Sequence, residues 1–242
     1  MLGVFDLETT GVDVETARIV SATVGVLDGA GACVERWDWL ADPGVEIPAE
    51  ASAVHGITTE RARAEGRPAA EVVAEIVAVL SGLFDRGLAV TIYNAPYDLT
   101  VLSCEAARYG LAPLSLPTPI IDPLVIDKAL DRYRKGKRTL AAAALHYGVV
   151  LTDAHDAGAD AVAAGRVAQA IARLYGDQLG ADVDALHQLQ IGWCHEQAAG
   201  FQEYMRRVKD PTFVTSGKWP LRLAVKQAAA LPNYRAVLPK FL

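Results

Sequence analysis

Three β-patterned runs open the chain. Residues 2–8, 18–27 and 33–40 are rich in apolar and β-branched residues, and the turn-rich stretches "TGVDVETA" and "DGAGA" separate them. Connections this short predict an antiparallel meander. "PGVEIPAEASAVHGIT" then reads as irregular, broken by Pro43, Pro48 and two glycines. "PAAEVVAEIVAVLSGLF" spaces its apolar residues as a helix does, with Pro68 in the first turn and Gly87 beyond the end. "LAVTIYN" (88–94) reads as a fourth strand, "YDLTVLSCEAARYG" as a helix ending at Gly110, and "TPIIDPLVID" as the holder of a short fifth strand. "TLAAAALHYGV" and "AGADAVAAGRVAQAIARLYG" are helical. This order predicts an α/β domain over residues 1–178, with a mixed sheet flanked by helices. Residues 179–242 form a mainly helical C-terminal extension: one long amphipathic helix, a Pro- and Gly-containing loop and a basic-apolar end. The extension is expected to pack on the main domain or on a partner, and no function is readable from its residues.

Composition supports a packed core, with 52% hydrophobic residues in a chain of 242. No run reaches the roughly 18 apolar residues of a membrane span, and no basic leader precedes the first strand, so a cytoplasmic location without membrane contact is expected. Cys33, Cys104 and Cys194 are far apart and suggest neither a zinc ribbon nor a disulfide framework. A net charge of −6 argues against bulk electrostatic binding of nucleic acid but leaves room for an acidic metal site beside a local basic patch.

Chemistry enters at "FDLETTG". In a strand, Asp6 and Glu8 share one face while Phe5 and Leu7 share the other. Two carboxylates on one face repel unless a cation, hydrogen bonds or protonation compensates them. Asp98 stands at a helix start in "IYNAPYDLTVL", and Asp160 in the first turns of the helix that follows "HDAG". An acid at a helix N-terminus is ordinary taken singly. Together, four acids at strand ends and helix starts lie where an α/β sheet forms its active-site crevice. They supply hard oxygen ligands suited to Mg²⁺ or Mn²⁺.

"FDLETTG", "NAPYD" and "HDAGAD" resemble, in order and spacing, the three motifs of the DEDDh (DnaQ-like) 3′-5′ exonucleases, a family that includes the proofreading epsilon subunit of bacterial DNA polymerase III. "AVHGIT" and "RKGKRTLAAAALHYGV" extend the likeness over about residues 1–175. The resemblance implies a ribonuclease-H-like fold with a five-stranded mixed sheet. It further implies that Asp6, Glu8, Asp98 and Asp160 hold two divalent cations, Mg²⁺ or Mn²⁺, with Asp6 bridging them, and that His155 is the general base. Thr9 and Thr10 match positions that contact the terminal nucleotide, and Tyr97 matches an aromatic that flanks it. Asn94, in the second motif where Tyr93 replaces a histidine common in the family, is a further substrate-binding candidate. His55 in "AVHGIT" is another substrate-binding candidate, expected to order its loop rather than to perform chemistry, and His146, His187 and His195 read as helix residues without partners.

"DRYRKGKRT" places Arg132, Arg134, Lys135, Lys137 and Arg138 around Tyr133. A solvated face is the ordinary reading of such a run, and a grip on the phosphate backbone is the functional one, with Arg134, Lys137 and Arg138 as candidates. The expected partner is the 3′ end of nucleic acid, foremost single-stranded DNA, with a DNA polymerase subunit as a second. An exoribonuclease of the RNase T or oligoribonuclease type is the alternative, since a few contacts near the 2′ position decide the sugar. An inactive polymerase-binding module would have eroded ligands, and none of the four acids is missing.

Overall fold

The computed structural model describes residues 1–115, 117–151 and 156–222. The meander forms as expected: β1 (Leu2–Thr9), β2 (Ile19–Leu27) and β3 (Cys33–Asp42) pair antiparallel in succession. The stretch read as irregular instead contains two seven-residue helices, α1 (Ala49–His55) and α2 (Thr59–Glu65). Neither is long enough to show an apolar period. Local capping defines α2, where Thr58 Oγ1 accepts the Arg61 N–H at 3.2 Å. A two-residue strand, β4 (Arg67–Pro68), runs parallel to β3, so the sheet has six strands among the described residues where five were expected.

Helix α3 (Ala69–Asp85) buries Val72, Val73, Ile76, Leu80 and Leu83 along one face. Strand β5 (Val90–Thr91) is shorter than its β-branched run. Helix α4 (Ala95–Arg108), β6 (Ile120–Ile121), α5 (Pro123–Leu130), α6 (Leu140–His146), α7 (Ala157–Leu179) and α8 (Val183–Val208) complete the described elements. "PLVID", read with the fifth strand, is the start of α5; Pro123 sits in its first turn and the Asp122 side chain caps it. The strand order is β4-β3-β2-β1-β5-β6, which puts β1 inside the sheet.

Phe5 and Leu7 face the main core with residues of α3 and α4, while Val4 and Leu27 meet Ala161 of α7 on the opposite face. Gly165 permits that second contact: a Cβ there would lie 2.5 Å from side-chain atoms of both Val4 and Leu27. Helix α7 therefore lies close to the sheet. The extension packs on the domain through α8, which contacts α5 and β6. Two histidines read as unpartnered are engaged: His187 Nδ1 accepts the Ile120 N–H at 3.0 Å, and His146 Nε2 lies 3.3 Å from Asp131 Oδ2. Both partners are distant in sequence, so no local signal announces them. No described helix is long and apolar enough to cross a membrane.

Candidate active site

Strand period and helix approach together assemble the acids. Asp6 and Glu8 project from β1 toward the face that α7 covers, and close packing of α7 brings Asp160 beside them. Oxygens of Asp6, Glu8 and Asp160 lie within 4.8 Å of one another. Neither Asp6 nor Glu8 has an ion-pair partner among the described residues. The electrostatic consequence is large. Burial pushes the Asp6 carboxyl well above the usual range, and Asp98, Glu8, Asp160 and Asp156 push it further. Burial, Asp160 and Asp156 push Glu8 up to about 8. Asp156, the N-cap of α7, accepts the Ala159 N–H at 2.9 Å and is a contributor to this field that motif reading overlooks. Mutually repelling carboxylates at this separation are a donor set that fits a hard divalent cation.

Asp98 approaches from the other side of β1. Strand β5 pairs with β1 only at Gly3 and Val4. Farther along, the Leu7 N–H, between the two β1 acids, donates to Asp98 Oδ1 at 3.1 Å. Asp98 is 3% exposed; burial raises its carboxyl, against hydrogen bonds from its own N–H and that of Leu7. It adjoins the group formed by Asp6, Glu8 and Asp160 rather than lying within its 4.8 Å span.

The turn leading into α4 is specialised. Asn94 has φ 66°, the sole positive φ at a non-glycine among the described residues. Asparagine tolerates this left-handed conformation better than most residues. Asn94 N–H and Ala95 N–H donate to the two oxygens of Asp122 at 3.0 Å each. Sequence reasoning missed Asp122, a fully buried carboxyl whose partners are scattered along the chain.

The other candidates divide. Thr9 Oγ1 and the Tyr97 hydroxyl lie 2.5 Å apart, and both reach the Gly11 carbonyl. They form one rim beside the acids. Thr10 Oγ1 accepts the Arg18 N–H at 2.9 Å, which closes the β1–β2 turn. His55 Nδ1 accepts the Ile57 N–H within its own loop. His155 lies outside the described residues.

The basic run also splits. Arg134 and Arg138 are 12% and 13% exposed and both bond Asp127 Oδ2, at 2.5 and 2.7 Å. The Tyr147 hydroxyl takes Asp127 Oδ1 at 2.6 Å. Burial would raise Asp127, but these three bonds hold it below the ordinary carboxylate range. Arg134 and Arg138 are thus turned inward on a buried acid, whereas Arg132, Tyr133, Lys135 and Lys137 are exposed. The Tyr93 hydroxyl donates to the Arg138 carbonyl at 2.7 Å, so this phenol is bonded to the loop.

The sequence model of the exonuclease (RNase T) family matches residues 4–168. The chain is 29% identical over 165 residues to the PolC-type DNA polymerase III of Streptococcus thermophilus, covering 68% of this chain and 10% of that one. It is 31% identical over 177 residues to a DNA polymerase III subunit epsilon-like protein of Rhodobacter capsulatus, covering 71% of this chain and 23% of the relative. The chain therefore spans only a small part of these relatives' length. Its fold is similar to that of Escherichia coli exonuclease I solved with a dT13 oligonucleotide, with TM-score 0.63 and 20% identity over 73% of this chain and 42% of that one.

Proposed function

The chain belongs to the exonuclease family, and we propose that it is a metal-dependent 3′-5′ exonuclease that removes nucleotides from single-stranded DNA ends in proofreading or repair. The observation that carries this reading is the convergence of Asp6, Glu8 and Asp160 within 4.8 Å, with Asp98 anchored on the intervening Leu7 N–H. In this reading Asp6, Glu8 and Asp160 hold two divalent cations, Mg²⁺ or Mn²⁺, and Asp98 completes the set from α4. When bound, such cations supply an activated water and charge stabilisation for the leaving 3′ oxygen.

The remaining work belongs to the chain's own groups. His155 accepts the proton of the attacking water at an imidazole nitrogen. The Thr9–Tyr97 rim seats the 3′-terminal nucleotide, and the Tyr97 ring offers a stacking surface. Lys137, with Arg132 and Lys135, meets the phosphate backbone; Arg134 and Arg138 shape that loop from inside. DNA as substrate draws support from the names of the DNA polymerase III relatives and from the dT13 bound to exonuclease I. The same names support a polymerase subunit as partner.

The test is degradation of 5′-labelled single-stranded DNA and matched RNA with Mg²⁺. A ladder shortening one nucleotide at a time from the 3′ end of DNA, abolished by EDTA, is the expected result. Internal cleavage, full activity in EDTA or exclusive use of RNA would refute it.

A further inference from the structure

The outer edge of the sheet lacks a seventh strand among the described residues, and side chains of α8 take its place. Ile120 N–H donates to His187 Nδ1 at 3.0 Å, Gln190 Nε2 donates to the Ile120 carbonyl at 2.9 Å, and Asp122 N–H donates to Gln190 Oε1 at 2.7 Å. Three backbone groups of β6 and its end that an edge would leave unsatisfied are thereby paired. Trp219, in the loop after α8, tilts over the His187 ring at 4.8 Å and donates its indole N–H to Asp122 Oδ2 at 3.3 Å.

Asp122 gathers the consequence. It is 0% exposed and makes no ion pair among the described residues. Four N–H donors fill its oxygens: Asn94 and Leu124 on Oδ1, Ala95 and Trp219 on Oδ2. Two of these belong to the left-handed turn that starts α4. The C-terminal segment grips the same helix a second time, where Arg222 N–H donates at 2.9 Å to Thr100 Oγ1, itself bonded to the Pro96 carbonyl. Residues 94–100 are thus held at both ends, and between those points lie Tyr97 and Asp98.

The geometry points to Asp122, supported by Trp219, as a positioning residue that sets the first turn of α4, so that Asp98 meets the Leu7 N–H and Tyr97 meets Thr9. The segment 183–222 lies beyond the region matched by the family, residues 4–168, yet it is a working part of the site. A carboxylate suits this task because it accepts from several N–H groups at once without offering a competing donor. An amide in its place would turn an NH₂ toward N–H groups. The kinetic arm of this inference rests on the nuclease reading; its structural arm does not.

The experiment compares Asp122→Asn and Trp219→Phe in the full chain, with Trp39→Phe as control for loss of a remote indole bond, that to Glu75. Amide hydrogen exchange at Leu7, relative to the other β1–β2 amides, reports the Asp98 contact without metal or substrate. Asp122→Asn is expected to speed Leu7 exchange about tenfold and to lower kcat about a hundredfold, with KM nearly constant. Trp219→Phe is expected to move both about threefold, and the control neither. Wild-type Leu7 protection in both test variants, or faster exchange with wild-type kcat, overturns the inference. If Asp122→Asn does not fold, Trp219→Phe decides by the same criteria. A wild-type chain that degrades no oligonucleotide refutes the nuclease reading, and Leu7 exchange then decides the positioning claim alone.

Discussion

The molecule buries carboxylates in two opposite ways. At Asp127 the fold supplies Arg134, Arg138 and a tyrosine hydroxyl, and at Asp122 four N–H donors. At Asp6 and Glu8 it supplies further acids. Compensation holds Asp127 low, whereas the lack of it drives Glu8 to about 8. Arg134 and Arg138 are used on the structural acid. A fold that sets two arginines on Asp127 and crowds the carboxylates of Asp6, Glu8 and Asp160 within 4.8 Å offers the second group as an oxygen donor set. In the proposed reading, that contrast separates residues that hold the protein together from residues that hold a cation.

The strongest way to break the comparison is Asp6→Asn. Activity on a DNA oligonucleotide should fall at least about a thousandfold, as loss of a ligand to a two-metal site would require. The same variant should unfold at a higher temperature than the metal-free wild type, since repulsion with Glu8 and Asp160 is relieved. A parallel loss of activity and stability would place Asp6 with the structural acids. Asp127→Asn should behave oppositely. It strands Arg134 and Arg138, and removing one partner of a buried charge cluster costs about 3–5 kcal/mol, measurable by urea unfolding.

A smaller effect sharpens the contrast through pH. Glu8 rises from 4.5 to about 8 on folding, so across that interval the native state holds a proton that the unfolded state has released. Metal-free stability should therefore decline as pH climbs from about 4.5 toward 8. Saturating Mn²⁺ favours the ionised carboxylates and should flatten or invert the slope. Thermal midpoints in EDTA and in Mn²⁺ at several pH values check this, and identical slopes would argue against a cation among these acids.

Much of the site was legible in the chain because its signals are local. Two acids at i and i+2 of a strand must share a face whatever the remaining fold does. Asp98 and Asp160 stand one turn or less inside helices whose starts are marked by Pro96 and by the Asp156 cap. The two short helices between β3 and β4 left no such mark, because seven residues span too few turns to show a period. The basic run misled for a related reason: Arg134 and Arg138 read as surface charges, and the acid that claims them lies on the preceding helix.

The sequence by itself determined the order of the long elements, the placement of four acids at element ends and the kinship with exonucleases, all of which follow from short-range pattern. Only the tertiary structure decided which charges are spent internally, that Asp98 is fixed on the Leu7 N–H, and that Asp122 and Trp219 tie the C-terminal segment to the same helix. The physical reason is that compensation of a buried charge depends on which groups stand within hydrogen-bond reach. That is set by packing of segments far apart in the chain, 97 residues for Trp219 and Asp122, which no local period encodes.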